Sequence, residues 1–126
     1  MREKAGFGWV KVFGKVYDHD IVICKGEVLK RDKDLSARYR ATYGHTPLSE
    51  DELRRYINLC SDVEVVIIGS GVYGALPITP EARKILDELR SRGIDVMIRQ
   101  TSDPLISTVE EVTSKRKVLA IIHTTC

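Results

Sequence analysis

No run of apolar residues in this 126-residue chain approaches the ~20 that a membrane helix requires; runs such as Val65 to Ile68 are far shorter. A bilayer-spanning helix is excluded. The opening MREKAGFGWV is charged early and lacks the apolar region of a signal peptide, so a cytoplasmic location is expected. Cysteine is scarce: Cys24, Cys60 and Cys126 form an odd, widely spaced set with no C-x-x-C. A disulfide framework or zinc site is not expected, and Cys24 and Cys60 read as small core hydrophobes. An excess of one charge is lacking too. The 20 basic and 18 acidic residues leave only +2, so neither nucleic acid nor membrane is an expected partner. The run Lys30, Arg31, Lys33, Arg38 and Arg40 is interrupted by Asp32 and Asp34 and reads as a solvated loop or strand edge. Side-chain amides are almost missing, with only Asn58 and Gln100, a balance that points toward a heat-adapted source. The histidines have no metal-ligand spacing, so no metal is expected. No paired acid and base or activated nucleophile marks a catalytic set, and the catalytic residues, if any, are unknown.

What is present is an ordinary globular composition, 43% hydrophobic and 30% charged, in a chain of one-domain length. Residues 1–126 are therefore read as a single domain. Trp9 to Tyr17 alternates in the manner of a strand. Asp18-His19-Asp20 reads as a turn, and Ile21–Cys24 and Glu27–Leu29 read as antiparallel strands around Gly26. Residues 31–47 read as a long surface excursion. Leu48-Ser49-Glu50-Asp51-Glu52-Leu53 carries a capping box from Ser49 to Glu52 and a staple from Leu48 to Leu53. Val63–Ile68 reads as a strand buried on both faces. Thr79-Pro80 and Asp103-Pro104 each read as a cap followed by Pro at the first helical position. Ala82, Ile85, Leu86 and Leu89 share one face of the first of these helices, which Gly93 ends. Leu105, Val109 and Val112 form the stripe of the second. Strands at Asp95–Gln100 and Val118–His123 complete β-α-β-α-β. The expected fold is α/β, a three-layer domain around a central mixed β-sheet, with the early antiparallel strands extending that sheet or packing beside it.

Gly69, Gly71 and Gly74 follow a strand with the G-x-G-x-x-G spacing of a dinucleotide site. In such a site the helix opens at the second glycine, so that its amides meet the pyrophosphate. Here Pro77 and Pro80 forbid a regular helix until Thr79, and the acidic residue about 20 positions later is missing. No nicotinamide cofactor is expected, and no other cofactor is implied. The glycines read as a tight loop from a buried strand to a distant helix. If the three late strands are parallel, their carboxyl ends gather Gly69, Ser70, Gly71 and Thr101 with His123 to Cys126. There Gly69, Gly71 and the Thr101 hydroxyl could hold a small anion. A reversed last strand would remove His123 and Cys126 from that edge. His45, before a helix start, is a further candidate ligand contact. A nucleophilic Cys126–His123 pair is disfavoured, since residues three apart on a strand face opposite ways.

Phe7-Gly8-Trp9-Val10-Lys11-Val12, Gly44-His45-Thr46-Pro47, Val66-Ile67-Ile68-Gly69-Ser70-Gly71, Gly93-Ile94-Asp95-Val96, Gln100-Thr101 and His123-Thr124-Thr125-Cys126 occur in an order that resembles one family. It is the small α/β domain family of unknown biochemical activity that includes a mitochondrial respiratory complex I assembly factor and the adipogenesis-associated protein. The likeness departs at Thr108-Val109, where many members carry Tyr-Asn, and at Pro104, where Ala is usual. It implies a three-layer fold and, from its eukaryotic members, a role in interaction or assembly. The expectation is a non-enzymatic interaction module with a protein partner or a second copy of itself. The alternative is a small-molecule or anion-binding protein, or an enzyme, with its site at Gly69–Gly74, Thr101 and His45.

Overall fold

In the computed structural model, which describes residues 3–126, the β-branched run Val65–Ser70 is a strand without one exposed residue. Chain order gives β1 (Ala5–Gly6), β2 (Trp9–Val12), β3 (Lys15–Tyr17), β4 (Ile21–Cys24) and β5 (Glu27–Lys30). A 3-10 helix (Lys33–Tyr39), α1 (Arg40–Tyr43) and α2 (Glu50–Leu59) precede β6 (Val65–Ser70). The chain ends with α3 (Pro80–Ser91), β7 (Asp95–Arg99), α4 (Asp103–Thr113) and β8 (Val118–His123). The main sheet has the order β5-β4-β8-β6-β7, and β1-β2-β3 form a separate antiparallel sheet. β6 pairs in parallel with both β7 and β8, whereas β4 runs antiparallel to β8 and to β5. Parallel neighbours need long crossovers, which α3 and α4 supply.

The period-two alternation of strands divides the interior into two cores. Val66 and Ile68 of β6, with Val22, Leu119 and Ile121, face Leu53 and Tyr56 of α2 and Leu86 and Leu89 of α3. Val65 and Ile67, with Ile21, Ile23, Ala120 and Ile122, face Leu105, Ile106 and Val109 of α4 and Val10 and Val12 of β2. A sheet covered on both faces is the expected three-layer arrangement, and it explains why β6 and β8 are apolar at successive positions. The early strands take both expected places: β4 and β5 extend the main sheet, and β1 to β3 form the second one beside α4.

Five local readings change. Trp9–Tyr17 is a hairpin, because Phe13 (φ 52) and Gly14 (φ 79) both turn left-handed, as a two-residue connection between twisted strands requires. Residues 31–47 contain the 3-10 helix and α1, which Gly44 (φ 74) closes. Ser49 caps α2 through the Glu52 amide (3.4 Å), but Glu52 does not reach back; the Ser49 amide donates to Ser36 Oγ instead (3.1 Å). Ser102 caps α4 through the Leu105 amide (3.3 Å), leaving Asp103 Oδ1 to accept from the amides of Lys4 and Ala5 (both 2.9 Å). Lastly, Cys24 and Cys60 form a disulfide, with Cα atoms 5.6 Å apart. The core carries these thiols, from β4 and the end of α2, into the bonding range of Cα separations. Closing a loop of 36 residues stabilises the fold by roughly 4 kcal/mol in the chain-entropy account.

Candidate functional site

β4 pairs with β8 so that Ile21 faces Ile122, which sets Asp20, one residue earlier, beside His123, one residue later. The Asp20 side chain is 2% exposed and spends both oxygens. Oδ1 accepts from the Thr124 amide (2.7 Å) and hydroxyl (2.9 Å). Oδ2 accepts from Arg31 Nη1 (3.0 Å) and contacts His123 Nδ1 (2.7 Å). Burial opposes the charge on Asp20, but His123, the Thr124 amide and the Arg31 guanidinium outweigh it and hold the carboxyl well below the usual carboxylate range. An ionised carboxylate accepts only, so Nδ1 carries a proton toward Asp20 and Nε2 is left to face elsewhere. Thr125 Oγ1 lies 3.3 Å from Nε2.

Arg31 continues the network inward. Its Nε and Nη2 grip Glu52 in a fork (2.7 and 3.0 Å), and Nη2 also donates to the Pro47 carbonyl (2.8 Å). Glu52 further accepts from Ser36 Oγ (2.6 Å) and the Tyr56 hydroxyl (2.6 Å). Burial, then the Glu52 carboxylate, pushes the Tyr56 phenol up and keeps it a donor; its oxygen in turn accepts from the Asp32 amide (2.9 Å). Burial works against the Arg31 charge as well, but Glu52 and Asp20 raise its pKa overall. A buried ion with a partner on each of its nitrogens or oxygens is the arrangement that offsets its own desolvation. Arg31 is thus 4% exposed, not a member of a solvated basic run, while Lys30, Lys33, Arg38 and Arg40 are exposed.

Over Asp20 and Arg31 opens a cleft of about 760 Å³. Lys30, Lys33 and His19 bring donors to its wall, Asp18, Asp32 and Asp34 bring acceptors, and Thr124 and Thr125 bring hydroxyls. Lys33 Nζ also reaches within 3.5 Å of Asp20 Oδ2. Among the described residues, no group of three or more His, Cys, Asp or Glu side chains is placed to hold a metal ion. The wall of the cleft thus offers both hydrogen-bond donors and acceptors.

The glycine loop lies directly behind His123. Because β8 runs parallel to β6, Gly69–Gly71, Thr101 and the segment His123–Cys126 do meet at one sheet end. Thr101 Oγ1 accepts from the Gly71 amide (3.0 Å) and donates to the His123 carbonyl (2.7 Å). The Val72 amide donates to the Thr125 carbonyl (2.7 Å), and those of Tyr73 and Ala75 to the Cys126 carbonyl (3.1 and 2.9 Å). The amides that could have cradled an anion therefore hold the chain's own last carbonyls. Gly71 (φ 99) has no room for a side chain: a Cβ there would run into the Cys126 carbonyl group and stand 2.8 Å from His123 Cδ2. A Cβ on Gly69 would stand 2.8 Å from Thr101 Oγ1. Ser70 Oγ donates to the Arg99 carbonyl (3.1 Å), and Gly74 (φ 70) lies against Gln100. His45 is exposed in its loop. Of the residues singled out in the sequence, only Thr125 lines the cleft, with His123 at its edge through Asp20 and Thr124.

Asp20, Arg31, Glu52 and Thr124 were not visible as a site. Two signals were present: Asp20 abuts the fully apolar Ile21-Val22-Ile23, and Glu52 stands four residues before Tyr56 beside the buried stripe of α2.

A family described as "protein of unknown function (DUF498/DUF598)" matches residues 3–123. The chain belongs to this family. A conserved hypothetical protein of Pyrococcus horikoshii OT3 is 34% identical over 100% of both chains, with a TM-score of 0.76. A second solved protein, MT938, is 32% identical over 97% of this chain and 95% of its own, with a TM-score of 0.56. An outer membrane protein of Bartonella henselae, 17% identical over 97% and 92% of the two chains, shares the fold with a TM-score of 0.65. No curated protein matches. Among the described residues, no helix of this DUF498/DUF598 member is long and apolar enough to cross a membrane.

Proposed function

We propose that this DUF498/DUF598 member binds a small polar molecule bearing both hydrogen-bond donors and acceptors in the cleft above Asp20, with His123 as the group that reads it. The observation that carries this is the Asp20–His123 contact of 2.7 Å: a buried, fully partnered carboxylate on the wall of the 760 Å³ cleft fixes the tautomer of an imidazole whose neighbours Asp20, Thr124 and Thr125 line that wall. Structural ion pairs also fix histidines, but they do not require a cleft of mixed charge beside them. Cytoplasmic placement belongs to the same reading, which calls for no cofactor. A thermal-shift screen with amino acids, hydroxy acids, short dicarboxylates and phosphate tests it. The expected result is a saturable shift for one class that His123→Gln abolishes while the unliganded melting point stays within a few degrees. A flat response of the wild type across all four classes at millimolar concentration would overturn it.

A second reading, interaction or assembly through a protein partner or a second copy, has one observation of its own. Phe7 and Tyr73 are 57% and 70% exposed, and their rings stand 6.1 Å apart. Paired exposed aromatics are the kind of group that anchors a protein contact, and the resemblance read from the sequence, to a family that includes an assembly factor, points in the same direction. Here Phe7→Ser with Tyr73→Ser is expected to abolish a stoichiometric complex recovered from the native cell. Recovery unchanged by the double substitution would count against it.

A further inference from the structure

We propose that Asp20, His123 and Thr125 form an acyl-transfer array, in which Thr125 is the nucleophile toward a small polar ester held in the cleft. This rests on the reading of the cleft as a ligand site and adds a reaction to it. Asp20 Oδ2 lies 2.7 Å from His123 Nδ1, and His123 Nε2 lies 3.3 Å from Thr125 Oγ1. With Nδ1–H directed at the carboxylate, Nε2 presents its lone pair, and the Thr125 hydroxyl is the group that donates to it. That is the polarity of a nucleophile, base and orienting acid; distances of this order between nucleophile and base are usual before a substrate is bound. Burial grades in the same sense: Asp20 and His123 side chains are 2% and 11% exposed, while Thr125 is half-buried and lines the cleft. Of the nucleophile and its base, Thr125 is the one that lines the cleft.

The step balances without any further reactant but water. Thr125 Oγ1 attacks the ester carbonyl carbon and its proton passes to His123 Nε2. The adduct collapses by breaking the bond to the leaving alcohol oxygen, which takes that proton from His123. The acyl group remains as an ester on Thr125 until a water attacks its carbonyl carbon and gives a proton to His123 Nε2; the bond to Thr125 Oγ1 then breaks, Oγ1 takes that proton from His123, and the carboxylic acid leaves. The ammonium groups of Lys30 and Lys33, on the same cleft wall, supply positive charge for the oxyanion. Asp20 touches no substrate in this scheme; it is a positioning residue.

The test uses p-nitrophenyl acetate on the full chain carrying Cys126→Ser, which removes the competing thiol. The expected result is a burst of nitrophenolate and one acetyl group on Thr125, located by fragmenting the tryptic peptide that follows Lys117. Thr125→Val is expected to abolish both, Thr125→Ser to retain them, and His123→Gln to slow the burst by about 100-fold or more. Acetylation of Thr125 at an equal rate with His123→Gln, or a burst that survives Thr125→Val, would overturn the array. Thr125 is half-buried and outside the core, so its variants fold even if His123→Gln does not. The two readings separate without the Thr125 variants: a ligand shift with no burst rejects the chemistry and leaves the binding site, whereas the lack of any ligand shift rejects both.

Discussion

The glycine loop after β6 and the Asp20 network both close on the end of β8, one with backbone groups and the other with ions. In the loop, the Gly71, Val72, Tyr73 and Ala75 amides meet Thr101 Oγ1 and the carbonyls of Thr125 and Cys126. These are neutral, short-range bonds that leave nothing directed outward. In the network, Asp20, Arg31 and Glu52 are also partnered, yet they leave His123 Nε2 against Thr125, which lines a cleft. The amides of the loop with the dinucleotide spacing are spent on the chain itself, and the group proposed to react lies in the His123–Cys126 ending. A motif earns a function only when its donors remain free.

The comparison can be broken from either side. The largest effect is expected from Arg31→Met, which strands Glu52 and Asp20 as buried charges and should cost about 3–5 kcal/mol in urea unfolding. Adding Glu52→Gln to Arg31→Met should cost less than the sum of the two single changes, because the pair is coupled. Gly71→Ala comes next, at about 2–4 kcal/mol, since it combines a left-handed backbone with a clash against the Cys126 carbonyl group. If Gly71→Ala were neutral, the close approach of the last residues to the loop would be wrong. Thr101→Val removes one donor and one acceptor that tie β6 to β8 and should cost about 1–2 kcal/mol.

A milder probe is acid. Asp20 has a folded pKa below its unfolded value of about 3.9, so the stability it contributes is present above that pH and is lost as pH falls through the folded value. Urea midpoints measured from about pH 6 down to about pH 3 should therefore fall, and fall less steeply in Asp20→Asn. Parallel slopes for the two proteins would remove Asp20 from the account.

What could be read from the sequence was local. Thr79 caps α3 through the Ala82 amide at 3.2 Å, Ala82, Leu86 and Leu89 are buried, and β6 is covered on both faces, because caps, periodicity and β-branching act over a few residues. The direction of β8 was not legible, since no local feature of Val118–His123 separates a parallel from an antiparallel neighbour. The network was invisible for a related reason. Asp20 meets Arg31 across 11 residues, Arg31 meets Glu52 across 21 and Asp20 meets His123 across 103. Alone, Asp20 resembles a turn residue and Arg31 a member of a basic run. Cys24 and Cys60, 36 residues apart, gave no spacing signal before the fold brought them together.

The central claim is that Asp20 holds His123 with Nε2 free of a proton and directed at Thr125, on the wall of the cleft. Long-range proton–nitrogen NMR of the His123 ring, followed while the best ligand class from the thermal screen is added, tests it directly. The account predicts a protonated Nδ1 throughout, a saturable movement of the Nε2 signal, and loss of the Nδ1–H tautomer in Asp20→Asn. A ring protonated at Nε2 in the free protein, or an Nε2 signal that does not move at saturating ligand, would contradict it.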